Sequence, residues 1–166
     1  MSSVASEFLD YSAAQLDLYL SRIETCLDQL TPEQVWERHS ENENAVGNLV
    51  LHLEGNLRQW ILGGVGGQPD RRDRYSEFEA RGGASPEQLK RHLRATMEEA
   101  AATVRALPHE RLTERIHPQG HDVSVLEAIY QAVQHLSGHA FQIMLLTKFH
   151  SGRDLGFFAY LNRPKR

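Results

Sequence analysis

The sequence holds one cysteine, Cys26, among 166 residues. A lone thiol closes no internal disulfide and excludes a thiolate metal cluster, which fits a reducing compartment. Positive charge is not in excess either, since 18 Lys and Arg stand against 22 Asp and Glu. No basic stripe is available for a phosphate backbone, so nucleic acid is not an expected partner. No stretch approaches the roughly 20 apolar residues of a membrane span, and the opening MSSVASEFLDYS has no basic region followed by an apolar run. The expectation is a soluble, cytoplasmic protein with no membrane partner. Alternating apolar and polar runs, the mark of half-buried strands, are also missing. What remains is a helical pattern and nine histidines.

The length suits one domain, read here as residues 1–166. From Val4 to Leu30, Leu9, Leu16, Leu20, Ile23, Leu27 and Leu30 recur at helical steps. Thr31-Pro32-Glu33-Gln34 is a cap with proline at the first position, and it predicts a short connecting helix carrying Trp36. Val46, Leu49, Leu53, Leu57 and Trp60 mark a second long helix ending at Gly63-Gly64. The stretch GGVGGQPDRRDRYSEF that follows has no period and reads as a long exposed loop. Its glycines follow a helix and lack the lysine of a phosphate-binding loop, which argues against a nucleotide cradle.

Ser85-Pro86-Glu87-Gln88 opens a third helix through Leu89, Leu93, Met97, Ala101, Val104 and Leu107, stopped by Pro108. After the irregular HERLTERIHPQGHD, the capping box Ser124-Val125-Leu126-Glu127 opens a fourth that runs to Gly152. Four amphipathic helices of about 20 residues predict an all-α, antiparallel four-helix bundle.

In VQHLSGHAFQI, His135 and His139 lie four residues apart. At about 100° per residue they are roughly 40° apart on the helix, on the same side as Ala132, Ile143 and Leu146. A buried imidazole without a partner costs about 1–3 kcal/mol. The pair is therefore either a satisfied core pair or, at the spacing of zinc-binding helices, two ligands of one ion. A third ligand has a candidate in His52, at the edge of its apolar stripe between Asn48 and Asn56, a place that a half-exposed helix edge would also explain. In this reading the His135/His139 pair is the stronger half and His52 the weaker. His117 and His121 flank Pro118 and Gly120, which exclude a regular helix, and His121 is too far from His135 to join it. His39, His92, His109 and His150 read as surface residues. Glu54 reads as solvated and Glu127 as a cap, and no general base is assigned.

With His52 followed by Gly55-Asn56, and with His135-x-x-x-His139-x-x-Gln142 in the last helix, the chain resembles the DinB/YfiT-like superfamily of metalloenzymes over about residues 8 to 150. Where relatives often show Arg-Gly before that Gln, this chain has Ala140-Phe141. The resemblance implies a three-histidine site on His52, His135 and His139 for one divalent ion, nickel or zinc. It also implies a thiol-dependent S-transferase or a hydrolase acting on a small molecule, with a low-molecular-weight thiol as cosubstrate, and a homodimer. Asn48, Asn56 and Gln142 are the expected orienting or substrate-binding groups, Asn48 and Asn56 toward His52. The competing readings are a non-catalytic metal- or ligand-binding bundle and an interaction module with packed histidines. Because ligation needs neutral imidazoles, metal affinity is expected to fall as pH drops through the histidine range near 6.5.

Overall fold

The computed structural model describes residues 3–162. Helix α1 spans Val4–Leu27, its first turn closed by the Ser3 side chain accepting from Ser6 N–H. Helix α2, Pro32–Trp36, starts at the Thr31–Gln34 capping box. Helix α3 spans Val46–Leu57, α4 Arg74–Glu79, α5 Pro86–Arg105 and α6 Val125–Ser151. The Ser85 and Ser124 boxes open α5 and α6 as the sequence predicts, and Gly152, with φ +67°, closes α6 in the left-handed conformation that favours glycine. The chain is an all-α bundle whose four long members are α1, α3, α5 and α6. Among the described residues, strand is confined to a two-residue antiparallel ladder, Arg115–Ile116 (β1) with Val123–Ser124 (β2), inside the stretch that reads as irregular in the sequence.

Helix directions follow from which residues meet. Asp17 and Glu24 of α1 and Asp28, which caps it, pair with Arg105, Arg94 and Lys90 of α5, so rising numbers meet falling ones and the helices are antiparallel. Tyr19 meets Ser137, while Cys26 meets Thr147, so α1 and α6 are parallel. Helix α3 opposes α6 and runs alongside α5, giving two helices in each direction. A parallel pair cannot be joined by a tight turn. The chain between α3 and α5 must instead return along the bundle, and this is why the segment from 66 to 85 is long. It is not a featureless loop, because it contains α4 and brings Arg72 and Glu77 against α3.

The second long helix also departs from expectation. From Arg58 to Val65 it continues as a π-helix instead of winding down at Gly63-Gly64, and Trp60, Ile61, Leu62 and Val65 are buried there. The core between the four long helices contains Leu16, Ile23, Leu53, Leu93, Met97, Ile129 and Leu136, all fully buried. Each such side chain contributes about 1.5–3 kcal/mol through burial. Among the described residues no helix is long and apolar enough to cross a membrane.

Candidate metal centre

Antiparallel packing of α3 on α6 brings the three singled-out histidines together. One ligand atom from each of His52, His135 and His139 lies within 4.8 Å of the other two. The ring centroids are 4.9 Å apart for His52 and His135, 5.0 Å for His52 and His139, and 4.5 Å for His135 and His139. His52 is buried at 4% exposure, not at a half-exposed edge, whereas His135 and His139 are half-buried.

His52 is held from behind. Its Nδ1 lies 2.9 Å from Glu77 Oε2. Burial alone would raise the Glu77 carboxyl, but hydrogen bonds and charge from Arg72 and His52 together outweigh it and hold the group below the usual carboxylate range. An ionised carboxylate only accepts, so in this pair Nδ1 carries the proton and Nε2 is the atom that faces the other two histidines. Arg72 donates through Nε to Glu77 Oε1 at 2.7 Å and through Nη2 to Oε2 at 2.9 Å, a bidentate pair with Arg72 only 3% exposed. Gln59 Oε1 accepts from Arg72 Nη1 at 2.9 Å. A carboxylate behind a histidine, fixing its tautomer and raising its basicity, is the usual arrangement around a metal ligand.

On α6, His139 Nδ1 donates to Gln142 Oε1 at 2.7 Å, which frees Nε2. His135 Nε2 lies 3.0 Å from His52 Nε2, and His135 Nδ1 is buried without a partner. Burial, then the neighbouring His139 and His52, push the His135 pKa down to about 4. Burial also lowers that of His139, against the opposing bond from Gln142. Both rings are thus neutral at pH 7, the form a metal requires. Two imidazole nitrogens each about 2.0–2.1 Å from one ion sit about 3 Å apart, and the His52–His135 separation already matches. The donor set fits a divalent ion.

The site opens onto a recess of about 310 Å³ lined by Gln131, Gln134, His135, Gly138, His139 and Gln142. A Cβ added at Gly138 would meet nothing within 4 Å, so the wall between the two α6 histidines is open.

Of the groups expected to orient the ligands, Gln142 does so. Asn48 works one step further out: its Nδ2 donates to Glu77 O and Ala80 O, both at 2.9 Å, and Oδ1 accepts from Ala45 N–H at 3.1 Å. Asn56 is buried with Oδ1 unpartnered and contacts no histidine through a hydrogen bond. The role of orienting His52 falls to Glu77, in the stretch whose sequence reads as an exposed loop. A signal for it exists, since Asp73 caps α4 by accepting from Tyr75 and Ser76 N–H. Glu54, expected to be solvated, pairs with Arg58 and is mostly covered.

Gly55 shows how tightly this support is built. A Cβ there would lie 2.0 Å from Glu77 Oε1 and 3.0 Å from Arg72 Nε. Alanine in a helix interior should gain about 1 kcal/mol over glycine, yet here it displaces the carboxylate. Gly55→Ala is expected to weaken metal binding about 10- to 100-fold without touching a ligand, as measured by competition with a chromophoric chelator. Unchanged affinity would mean that Glu77 does not support the site.

A family described as "Protein of unknown function (DUF1572)" matches residues 3–160. No curated protein matches the chain. Among solved structures, a conserved protein from Enterococcus faecalis superposes with a TM-score of 0.71 at 17% identity, covering 86% of this chain and 96% of its own. A DinB-like protein from Bacillus cereus gives 0.65 at 15% identity, covering 82% and 88%. These likenesses are of fold.

Proposed function

The chain belongs to the DUF1572 family and has a DinB-like fold, and from its three-imidazole site we propose that it is a metal-dependent enzyme activating a thiol for transfer to a small molecule. The observation that carries this reading is the convergence of three histidines on an open recess, with Glu77 behind one of them and Gln142 behind another. Zinc or nickel held there would supply a Lewis acid that lowers the pKa of a thiol or water.

The chain's own residues favour the thiol. The recess is lined by histidine, glycine and three glutamines, with no carboxylate among the described residues. Glu77 is committed to Arg72 and His52, and Glu54 to Arg58. A thiol near 8.5 is already partly ionised at neutral pH, whereas water, near 15.7 in bulk, becomes comparably acidic only once the metal binds it. The thiol must come from outside the chain: Cys26 is fully buried, and that burial raises its pKa to about 11. Gln131, with Oε1 buried and unpartnered, and Gln134 and Gln142 offer amides to a polar substrate.

The test is optical. Protein loaded with cobalt should develop a thiolate-to-metal charge-transfer band when 2-mercaptoethanol is added at pH 7, and a His135→Ala, His139→Ala variant should not. A cobalt spectrum that is indifferent to thiol but sensitive to pH favours the hydrolase. An ion that exchanges no ligand at all favours a non-catalytic metal-binding bundle.

A further inference from the structure

A second cluster lies at the far end of α6. His150, read from the sequence as a surface residue, has a side chain only 4% exposed, and its Nδ1 is 3.2 Å from Glu37 Oε2. The His39 ring stacks on it, with centroids 5.5 Å apart and 19° between planes. One ligand atom each from Glu37, His39 and His150 lies within 4.8 Å of the other two. Glu43 stands behind His39 as Glu77 stands behind His52: its Oε2 accepts the His39 backbone N–H at 2.7 Å and lies 3.3 Å from Nδ1. The backbone here is anchored, because Gln34 Nε2 donates to His150 O at 2.9 Å.

We propose that Glu37, His39 and His150 form a second divalent-cation site, a clamp of two histidines and one carboxylate that ties the segment after α2 to the C-terminal end of α6. His150 is the fixed ligand. Glu37 and His39, with side chains 49% and 62% exposed, are free to rotate toward it until the three donors share one ion. Two imidazoles and a carboxylate with an open fourth position is a known zinc ligand set, and the ionised Glu43 fixes the His39 tautomer from outside. The nearby guanidinium of Arg38 donates instead to Asn48 Oδ1 and Phe78 O.

This site is separate from the first. His150 lies eleven residues beyond His139, about 16 Å along the helix. A recess of about 280 Å³ has both Glu43 and Gln142, the outer partners of His39 and His139, in its lining.

Zinc titration of chelator-treated protein, followed by calorimetry, tests the clamp. The intact chain should take two equivalents. His39→Ala and Glu37→Gln, both on exposed side chains, should each remove one equivalent while leaving helicity and the other equivalent unchanged, and Glu43→Gln should weaken that equivalent about tenfold. A His135→Ala, His139→Ala chain should keep the clamp's equivalent alone. If the three-imidazole site fails, the intact chain takes one equivalent, and His39→Ala abolishes it. A second equivalent that survives both His39→Ala and Glu37→Gln overturns the proposal. So does an intact chain whose zinc is lost entirely with His135 and His139, in which case Glu37 and His150 are an ordinary ion pair.

Discussion

Replacing His135 and His139 together by Ala is expected to abolish tight binding of a divalent ion at the three-imidazole site, because it removes two of three converging donors and leaves only His52 Nε2. The loss should register as stability. An ion bound only by the folded chain contributes about 2.7 kcal/mol at a free concentration a hundred times its Kd, so at saturating metal the melting temperature of the variant should lose the metal-dependent rise carried by this site. His52→Ala should be nearly as damaging. The sequence ranks His52 as the weaker ligand, but it is the buried one and the one held by a carboxylate. The pH dependence should also differ from that of free imidazole. With the His135 pKa pushed down to about 4 and that of His139 lowered, protons compete poorly in the folded chain. Proton competition at His135 should therefore set in only as pH approaches about 4. Full metal stoichiometry and affinity at the three-imidazole site in the double variant, read by chelator competition, would remove the site and the enzymatic reading with it.

Glu77→Ala should produce the largest loss of stability of any single change outside the core. Arg72 is 3% exposed and its charge is met by that carboxylate. Breaking a buried pair by removing one partner typically costs about 3–5 kcal/mol, because the remaining charge stays buried and uncompensated. The same change removes the acceptor of His52 Nδ1, and loss of such a partner weakens metal binding about 10- to 100-fold. The two effects can be separated. Replacing Arg72 by Met together with Glu77 by Leu leaves no stranded charge, so urea unfolding should recover most of the stability while metal affinity stays low. If affinity recovers along with stability, Glu77 acts on the fold alone. For the intact chain, the lowered Glu77 pKa means that its stabilising share is full above the ordinary carboxyl value of 4.5 and is lost in stronger acid.

The features legible in the sequence are those that repeat or cap. Ser85 and Ser124 with their glutamine and glutamate partners start α5 and α6 as expected, because a capping box is local chemistry. His135 and His139 declare their shared face because the helical period fixes their relation. His52 is harder to read: its period places it at an edge, and only the packing of α3 against α6 and the lid formed by Phe78, whose ring lies 4.8 Å from it, bury it. Glu77 and Arg72 carry no period, and the partner of Glu77, His52, lies 25 residues away. Contacts of that range leave no local trace beyond the Asp73 cap. The π-helix of Arg58–Val65 is invisible for a related reason, since its apolar residues satisfy a helical pattern of either winding. His150 looks like the exposed end of a helix until residues 34 to 39 fold over it.

The return connection between α3 and α5 has a consequence for how such a protein can change. The bundle needs a connection there because of its helix directions, but little of the core depends on the identity of its residues. Surface connections tolerate substitution and insertion better than packed helices do. Because that same connection carries Arg72 and Glu77, the basicity of His52 can be retuned by changes at positions 66 to 85 while the four-helix core stays as it is. Selection, or a protein engineer, can thus act on the metal's reactivity from outside the four-helix core, but at Arg72 and Glu77 a change that strands a buried charge moves stability with it, as a change at Gly55 on α3 does.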